Sequence, residues 1–470
     1  MKKLALLLLL ATGSLCFAQN ATPVTNCTTR TSLICTIPNL YGPNGLILKH
    51  VIIGGADHLP HFNGAFQGFS TPLGEAIGSE LTMLPLASPA SGFTTTFDET
   101  TGLPTRTQQS FGPIFAERAE TTGKGKFFFA LTYQYFTFDS LDGMNLGNVP
   151  AVFTHDGGSP TAATFKSDFI TTNNSIQLYV NQATAFATYG VARRVDVSVA
   201  IPMLQVRLTG NSFAAIHWTN PATAQDPSSE AHIFQVNGID SQTKGFRNAG
   251  SASGIGDVTF RVKGAVYQGE HGSVAFAADL RLPTGDAENF LGSGAYGIKP
   301  FLIASLRKGR WSPHVNAGYQ FNGNSLLAGN FPGYQGLNAQ ESEIPPVAPT
   351  KAHLPNDVFY TAGADVGATR NLTLCFDFLG QSVLSGTMIT PGIPYATSTI
   401  KPEIPSSVLP ASPYATTSVR TGNFNVLMGS AGLKTKVGAN LLLTANVLFQ
   451  MNNQGLRAKA VPMFGLSYTF

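Results

Sequence analysis

The last ten residues of the chain, Val461-Pro-Met-Phe-Gly-Leu-Ser-Tyr-Thr-Phe470, decide the fold class. One face of this segment presents Pro462, Phe464, Leu466, Tyr468 and Phe470. The other face presents Met463, Gly465, Ser467 and Thr469. Alternation with a period of two over a strand length predicts a β-strand with one apolar face.

The terminal aromatic residue adds to this prediction. A soluble strand rarely ends a chain on an aromatic side chain, whereas this ending resembles the C-terminal strand by which outer-membrane barrels are recognised for assembly. Phe470 is therefore the predicted contact for the barrel-assembly machinery. Outer-membrane lipid is the second predicted partner.

The same alternation recurs upstream in eight further segments, which begin near Phe127, Val195, Val258, Val274, Pro313, Val358, Leu372 and Leu441. In the second of these, a bulge is predicted at Pro202, because proline cannot donate a ladder hydrogen bond. Repeated strands of this kind predict an all-β chain.

The connections between these strands alternate in length. Short turns are predicted near 190–194, 268–272, 308–310, 368–371 and 437–440, and longer loops rich in Gly, Pro and Asn near 140–165, 209–254, 284–297, 323–355 and 385–419. Transmembrane barrels sort their connections in this way, with tight turns at one end and long external loops at the other. The sequence therefore predicts an antiparallel transmembrane β-barrel.

Twelve strands are counted from about residue 124 to the end of the chain. Residues 92–97 and 106–115 could add a hairpin, which would make fourteen, although the first piece is shorter than the ~9–11 residues that cross a bilayer. The predicted organisation is a barrel over 89–470 preceded by an irregular segment over 19–88. That segment either plugs the barrel or hangs in the periplasm.

The N-terminus predicts export. Lys2 and Lys3 precede an apolar run, and small residues follow, so residues 1–18 are predicted to be a cleaved signal peptide that leads to a Gram-negative outer membrane. Cys16 would suggest a lipoprotein instead, but the bulky Leu15 before it disfavours that alternative.

The composition agrees with a barrel. Charged residues are 12% of the chain, against roughly 25% in ordinary soluble domains. No segment after the signal peptide has 18 consecutive apolar residues, which excludes helical spans. Strands interleave apolar and polar residues and so combine low charge with no apolar block. The net charge of +3 argues against a nucleic-acid partner.

The cysteines predict a structural role and no metal. Cys27 and Cys35 are close enough to form a disulfide in an oxidising compartment, or they are two unpaired thiols in an irregular segment. CxxC spacing and nearby histidines are missing, so zinc is not predicted. Cys375 is alone and is expected to be inert.

Charged residues on the polar faces of the strands are the candidate site. In a barrel they point inward, because a charge facing lipid costs roughly 2–4 kcal/mol at the midplane. They either line a solute path or pair with one another and merely fill the interior. The predicted inward residues are Arg261, Lys263, Asp279, Arg281, His314, Asp365 and Asp377.

Catalysis and cofactors are not predicted. His314 is the only histidine within a clear strand, and a Gly-x-Ser-x-Gly elbow is lacking. Gly254 and Gly256 begin a Gly-x-Gly, but Thr259 stands where a dinucleotide fingerprint needs its third glycine. The chain is also too short for a plug domain and the twenty-two strands of a TonB-dependent receptor.

Three stretches carry a resemblance to a known family. They are Ser110-Phe-Gly-Pro-Ile-Phe-Ala-Glu-Arg-Ala-Glu-Thr-Thr-Gly-Lys-Gly-Lys-Phe127, Gly254-Ile-Gly-Asp-Val-Thr-Phe-Arg-Val-Lys263 and Leu280-Arg-Leu-Pro-Thr-Gly-Asp286. These stretches resemble the MetA-pathway phenol-degradation family of outer-membrane proteins, a group similar to fatty-acid and toluene uptake channels. The resemblance implies a barrel that passes small hydrophobic or aromatic compounds. The alternative is a non-transporting surface or scaffold barrel that binds through its long external loops.

Overall fold

The computed structural model describes most of the chain from residue 110 onward and shorter pieces before it. Residues 110–155, 168–218, 232–329, 350–391, 414–415, 417–438 and 440–470 are described. Before them, the described pieces are 27, 32–42, 46–49, 52–53, 56–57, 62–64, 70–83, 95–97 and 104–106. The predicted signal peptide lies outside the described residues.

Twelve antiparallel strands close into a barrel, so the predicted fold class is confirmed. The strands are β1 (Phe127–Phe138), β2 (Phe169–Ala192), β3 (Val195–His217), β4 (Thr259–Gln268), β5 (Gly272–Arg281), β6 (Gly297–Leu306), β7 (Trp311–Asn322), β8 (Asn356–Gly367), β9 (Leu372–Pro391), β10 (Thr417–Val437), β11 (Leu441–Gln450) and β12 (Ala460–Thr469). Each strand pairs with the next, and β12 pairs with β1 to close the sheet. Within this ring of twelve, every strand has a neighbour on both sides that can satisfy its backbone hydrogen bonds.

The alternation in the sequence matches the two faces of the wall. On β1, Phe129 and Tyr133 are 41% and 45% exposed, whereas Thr132 and Gln134 between and beside them are buried. On β12, Phe464 and Leu466 are exposed and Ser467 is buried. The apolar residues therefore face outward along both strands of the closing seam.

The connections alternate in length as predicted, but two long loops are shorter than expected. Strands β2, β3, β9 and β10 have 20 to 24 residues, about twice what a bilayer crossing needs. The predicted loops 209–254 and 385–419 were therefore wrong at their ends, where the chain stays extended. The ends of these two predicted loops are polar and therefore did not show the alternation of a membrane strand, because the wall there continues beyond the apolar band.

Beside β3 the wall changes partner. Strand β3 pairs with β4 up to Ala200 and with an additional strand, Thr243–Ile255, from Met203 onward. The β2–β3 register is regular at Pro202, so the bulge predicted there was wrong. The irregularity lies opposite, at residues 256–258, where Gly256 N donates to the carbonyl of Pro202. Pro202 lies between the part of β3 that pairs with β4 and the part that pairs with the additional strand. Its missing N–H therefore removes no hydrogen bond from either pairing.

The two glycine- and aspartate-bearing motifs meet at this break. The carboxylate of Asp257 accepts hydrogen bonds from Gly285 N at 3.1 Å and from Ser293 N at 2.8 Å. Thr284 Oγ1 accepts from Val258 N and donates to the carbonyl of Gly256. The Thr-Gly-Asp stretch is therefore turn chemistry that fastens the loop after β5 to the break in the wall.

The described N-terminal pieces contain one helix, α1 (Ser70–Met83), and several short elements. No described helix is long and apolar enough to cross a membrane. Strands Thr95–Phe97 and Pro104–Arg106 pair with each other and with no barrel strand, so the fourteen-strand alternative was wrong. The remaining short elements are the 3-10 helices Leu33–Cys35 and Ala287–Asn289 and the strands Ile52–Ile53, Ala56–Asp57, Phe62–Gly64, Ser140–Leu141, Met144–Asn145, Val149–His155, Phe234–Val236, Ile239–Ser241, Asn324–Ser325, Ala352–His353 and Leu456–Arg457.

These N-terminal pieces pack inside the long-loop end of the barrel. Leu40 contacts Gly210 on the inner face of β3, and Tyr41 Oη donates to Asn174 Oδ1 of β2 at 2.8 Å. Helix α1 contacts β9, where Glu75 accepts a hydrogen bond from Thr387 N at 2.7 Å. The apolar core therefore lies largely within the barrel, between its wall and its own N-terminal chain.

Candidate functional site

An irregular stretch of chain crosses the barrel interior. Residues 110–122, here called the strap, are all buried. The strap begins against β8 and β9 and ends at the short turn between β2 and β3, where Thr121 Oγ1 donates to the carbonyl of Arg193 at 2.8 Å. The chain then enters β1 from the short-turn end.

Barrel side chains bind the strap's backbone amides. An irregular chain has no ladder partner, so its buried N–H groups need acceptors from elsewhere. Five side chains from four strands, β3, β6, β7 and β9, supply them. The pairs are Phe111 N to Thr373 Oγ1 (2.9 Å), Phe115 N to Asp377 Oδ2 (3.2 Å), Glu117 N to Asn316 Oδ1 (2.7 Å), Ala119 N to Ser305 Oγ (3.1 Å) and Thr122 N to Asp196 Oδ2 (2.8 Å).

Lysine and cysteine side chains bind the strap's carbonyls. Lys263 Nζ donates to the carbonyls of Arg118 at 3.1 Å and Glu120 at 2.8 Å. Lys434 Nζ donates to the carbonyl of Pro113, and Cys375 Sγ to that of Gly112. The lumen is therefore shaped around this one piece of chain.

Glu117 of the strap anchors the first charge cluster. Its carboxylate lies 2.7 Å from Arg261 and 2.9 Å from Lys263, both on β4. Arg261 also forms a two-pronged pair with Asp279 on β5, at 2.6 and 2.8 Å. Bidentate arginine–carboxylate pairs are strong and directional, so the β4–β5 register fixes where Glu117 docks.

Arg118 of the strap anchors the second cluster. It lies 3.3 Å from Asp365 on β8, which also accepts a hydrogen bond from Ser110 Oγ. His314 on β7 joins Asp365 to Asp377, with its ring nitrogens 3.4 and 2.7 Å from the two carboxylates. The imidazole of His314 therefore contacts one oxygen of each carboxylate, and the other oxygen of each carboxylate binds the strap.

All seven residues predicted to face inward lie inside the barrel. Six belong to the two clusters, and Arg281 instead lies 3.7 Å from Asp257 and donates to Asn322 Oδ1 at 2.8 Å. The prediction offered a solute path or mutual pairing. The side chains pair with one another and also bind the strap, a third arrangement that the sequence analysis did not consider.

Several site residues were missed by sequence reasoning. Glu117 and Arg118 were assigned only to a family stretch, although charged residues in a chain with few charges were a signal that could have marked them. Asp196 lies on the polar face of the predicted strand that begins near Val195, so the same facing rule would have found it. To recognise Lys299 as an inward-facing residue, the register of β6 was needed.

The cysteines lie in two places. Cys27 and Cys35 form a disulfide beside the 3-10 helix Leu33–Cys35. Cys375 is buried against the strap. Within the described ranges, no group of three or more His, Cys, Asp or Glu side chains could hold a metal ion.

A cavity of about 90 Å³ lies against the strap. Phe115 and Glu117 of the strap form one wall. The other inward side chains divide into an apolar set and a polar set. The apolar set is Phe301, Phe359, Leu379, Val426 and Met428, and the polar set is Arg261, Lys299, Asn316, Thr361 and Gln381.

At the long-loop end, α1 carries a buried ion pair. Glu80 Oε1 lies 3.5 Å from Arg457 Nη1, and both side chains are buried. Burial raises the pKa of Glu80 to about 7 against the opposing attraction of Arg457, and it raises the pKa of Glu75 as well. Desolvation therefore outweighs attraction at this pair.

The fold and its interior define a class. A closed twelve-strand barrel with apolar side chains outside and a polar interior that contains part of its own chain is a transmembrane β-barrel. Residues 154–330, less than half of the chain, match the model of the family described as "Putative MetA-pathway of phenol degradation". The resemblance to this family is thereby confirmed over those residues, which contain the second and third of its three stretches. No curated protein matches the chain.

Three solved structures are similar to this fold at low sequence identity. The COG4313 outer membrane channel from Pseudomonas putida F1 has 11% identity and a TM-score of 0.39, over 75% of this chain and 98% of that one. A Pseudomonas aeruginosa FadL homologue has 9% identity and a TM-score of 0.30, over 82% and 96%. A mutant of the TodX monoaromatic hydrocarbon channel has 8% identity and a TM-score of 0.34, over 82% and 98%.

Proposed function

We propose that this protein is a passive channel in the Gram-negative outer membrane for small hydrophobic or aromatic compounds. One observation carries the proposal: a barrel with an apolar outer face encloses a cavity with aromatic side chains on its wall. Apolar solutes cross the polar outer leaflet poorly, and such a barrel offers them a route. The family match over residues 154–330 supports an aromatic solute.

The strap and the N-terminal segment act as the plug in this proposal. The strap crosses the interior at the short-turn half, and the described pieces of 19–88 pack within the long-loop half. A solute that enters from the long-loop end must therefore pass the strap to leave. Displacing only part of the strap breaks only part of its contacts, and each hydrogen bond is worth about 1 kcal/mol net, or ~1.5–3 kcal/mol where a charged group takes part.

A disulfide lock tests this mechanism. Ala119→Cys with Ser305→Cys, in a Cys375→Ser background, would tie the strap to β6, since Ala119 N and Ser305 Oγ are 3.1 Å apart. In proteoliposomes, the oxidised variant should take up toluene or phenol at least tenfold more slowly than its reduced form. The parent protein with and without reductant is the control. Uptake that is the same with the lock open and closed contradicts a gating strap.

The rival function is a surface or scaffold barrel that transports nothing. The strap's many contacts favour it, since a lumen crossed by its own chain has no open pore. Deleting residues 19–88 separates the two functions. A channel gains conductance or solute uptake in reconstituted vesicles. No conductance, and no change in uptake on the deletion, would leave the scaffold.

A further inference from the structure

The cavity beside the strap carries a more specific inference, which rests on the proposed function. We propose that it is a binding site for a small aromatic carboxylate, with Lys299 as the anchor for the carboxylate and Phe115, Phe301 and Phe359 as the ring-binding wall. These four residues come from three elements: the strap, β6 and β8.

The volume sets the size of the occupant. The cavity measures about 90 Å³, and an apolar cavity of ~150 Å³ binds benzene in another protein. The cavity is thus smaller than one that holds a bare ring, so a single six-membered ring with a small substituent is the upper limit for the occupant, and it enters with a small shift of the strap.

The aromatic side chains set the shape of the occupant. The rings of Phe301 and Phe359 have centroids 5.5 Å apart with an interplanar angle of 71°, an edge-to-face arrangement. Such pairs accept a further ring at their open edge or face in the same favoured geometry. Leu379, Val426 and Met428 line the opposite apolar wall.

Lys299 is the cation with binding capacity left. Arg261 gives Nε and Nη2 to Asp279 and Nη1 to Glu117, so each of its three nitrogens already has a carboxylate partner. The closest carboxylate oxygen to Lys299 Nζ among the described residues is that of Asp279 at 3.9 Å, which is beyond hydrogen-bond length. The ammonium lies 5.0 Å over the ring of Phe359, and 26% of the side chain is exposed.

These features select an aromatic acid over the neighbouring chemical classes. A neutral hydrocarbon fills the apolar half and leaves the Lys299 ammonium without an oxygen partner. An aliphatic acid satisfies the ammonium and leaves the ring wall unfilled. A carboxylate on a single ring does both, because it places an anion near Lys299 while the ring packs against Phe359.

Uptake by the intact mature protein in proteoliposomes tests the site, with benzoate, cyclohexanecarboxylate, phenol and toluene as probes. The parent protein should move benzoate faster than cyclohexanecarboxylate. Lys299→Met should slow benzoate about tenfold or more and leave phenol within twofold, since a charge-assisted bond is worth at least a factor of ten. Lys299→Arg should keep most of the benzoate rate, and Phe359→Leu should reduce the preference for benzoate over cyclohexanecarboxylate.

The controls separate failure of this site from failure of the channel. Lys308→Met removes an exposed cation at the short turn after β6 and should leave all four rates unchanged. Two results would overturn the aromatic-acid site while leaving the channel intact. In both, toluene and phenol are taken up, but benzoate is either not taken up or is taken up at the same rate in Lys299→Met as in the parent protein. No uptake of any probe overturns the proposed function itself.

Discussion

Glu80 on α1 makes the docking of the N-terminal segment depend on pH. Burial raises its pKa to about 7 from 4.5, so the docked helix holds the proton more tightly than the released helix. The stability that this proton provides is fully present below pH 4.5 and is lost as the pH rises to 7. The total is on the order of 3 kcal/mol at 1.36 kcal/mol per pH unit.

We therefore expect α1 to dock more weakly at pH 8 than at pH 5. Hydrogen–deuterium exchange over residues 70–83, corrected for the intrinsic pH dependence of exchange, measures this difference. Glu80→Gln should reduce the pH dependence of protection, because the amide imitates the protonated acid, and the dependence that remains should come from Glu75, whose pKa burial also raises. Glu270→Gln removes an exposed carboxylate at a short turn and should leave the pH dependence as it is. Protection that rises with pH in the parent protein contradicts this assignment.

Among the elements of the fold, the strap depends on glycine at position 112, where an added side chain would disturb both its backbone and a neighbouring residue. Its φ is +88°, and an added Cβ would lie 2.7 Å from Cζ of Arg118. Gly112→Ala therefore combines left-handed strain of roughly 1–2 kcal/mol with displacement of Arg118 from Asp365. The carbonyl of Gly112 is also the acceptor for Cys375, so this buried thiol reports on the position of the strap.

Maleimide labelling of Cys375 in folded protein should be at least fivefold faster in Gly112→Ala than in the parent. Gly309→Ala is the matched control, since Gly309 has a φ of +62° in a short turn with open space around it. That variant suffers the same backbone strain without touching the strap and should label at the parent rate. Equal labelling of all three proteins would show that Cys375 is not shielded by the strap.

The elements differ in how far the sequence predicted them. The barrel strands were predictable because lipid outside and polar groups inside impose a period of two on every strand. The strap was not, because its partners are individual side chains from seven separate strands and leave no period in its own sequence. The facing of His314 and Asp377 was predictable from one strand at a time. Their shared role needed the closed barrel.

For the whole molecule, closure occurs at the seam between β12 and β1, with Gly465 opposite Thr132. The register of this seam is set by the same apolar rows that the last ten residues display. The predicted plug over 19–88 remains a proposal, while the pieces of it that are described pack against the inner face of β2, β3 and β9.

The strap's route has a consequence for biogenesis. It begins beside the turn ends of β8 and β9 and runs to β1 past the turn between β2 and β3, so the polypeptide lies across the inside of a ring that it also forms. We expect insertion of this segment into a finished ring to be slow, and folding of the twelve hairpin-linked strands around a strap already in place to be faster. During assembly, a cysteine pair at 119 and 305 should therefore cross-link earlier than a pair at 132 and 465. The reverse order would mean that the segment is threaded into a ring that has already closed.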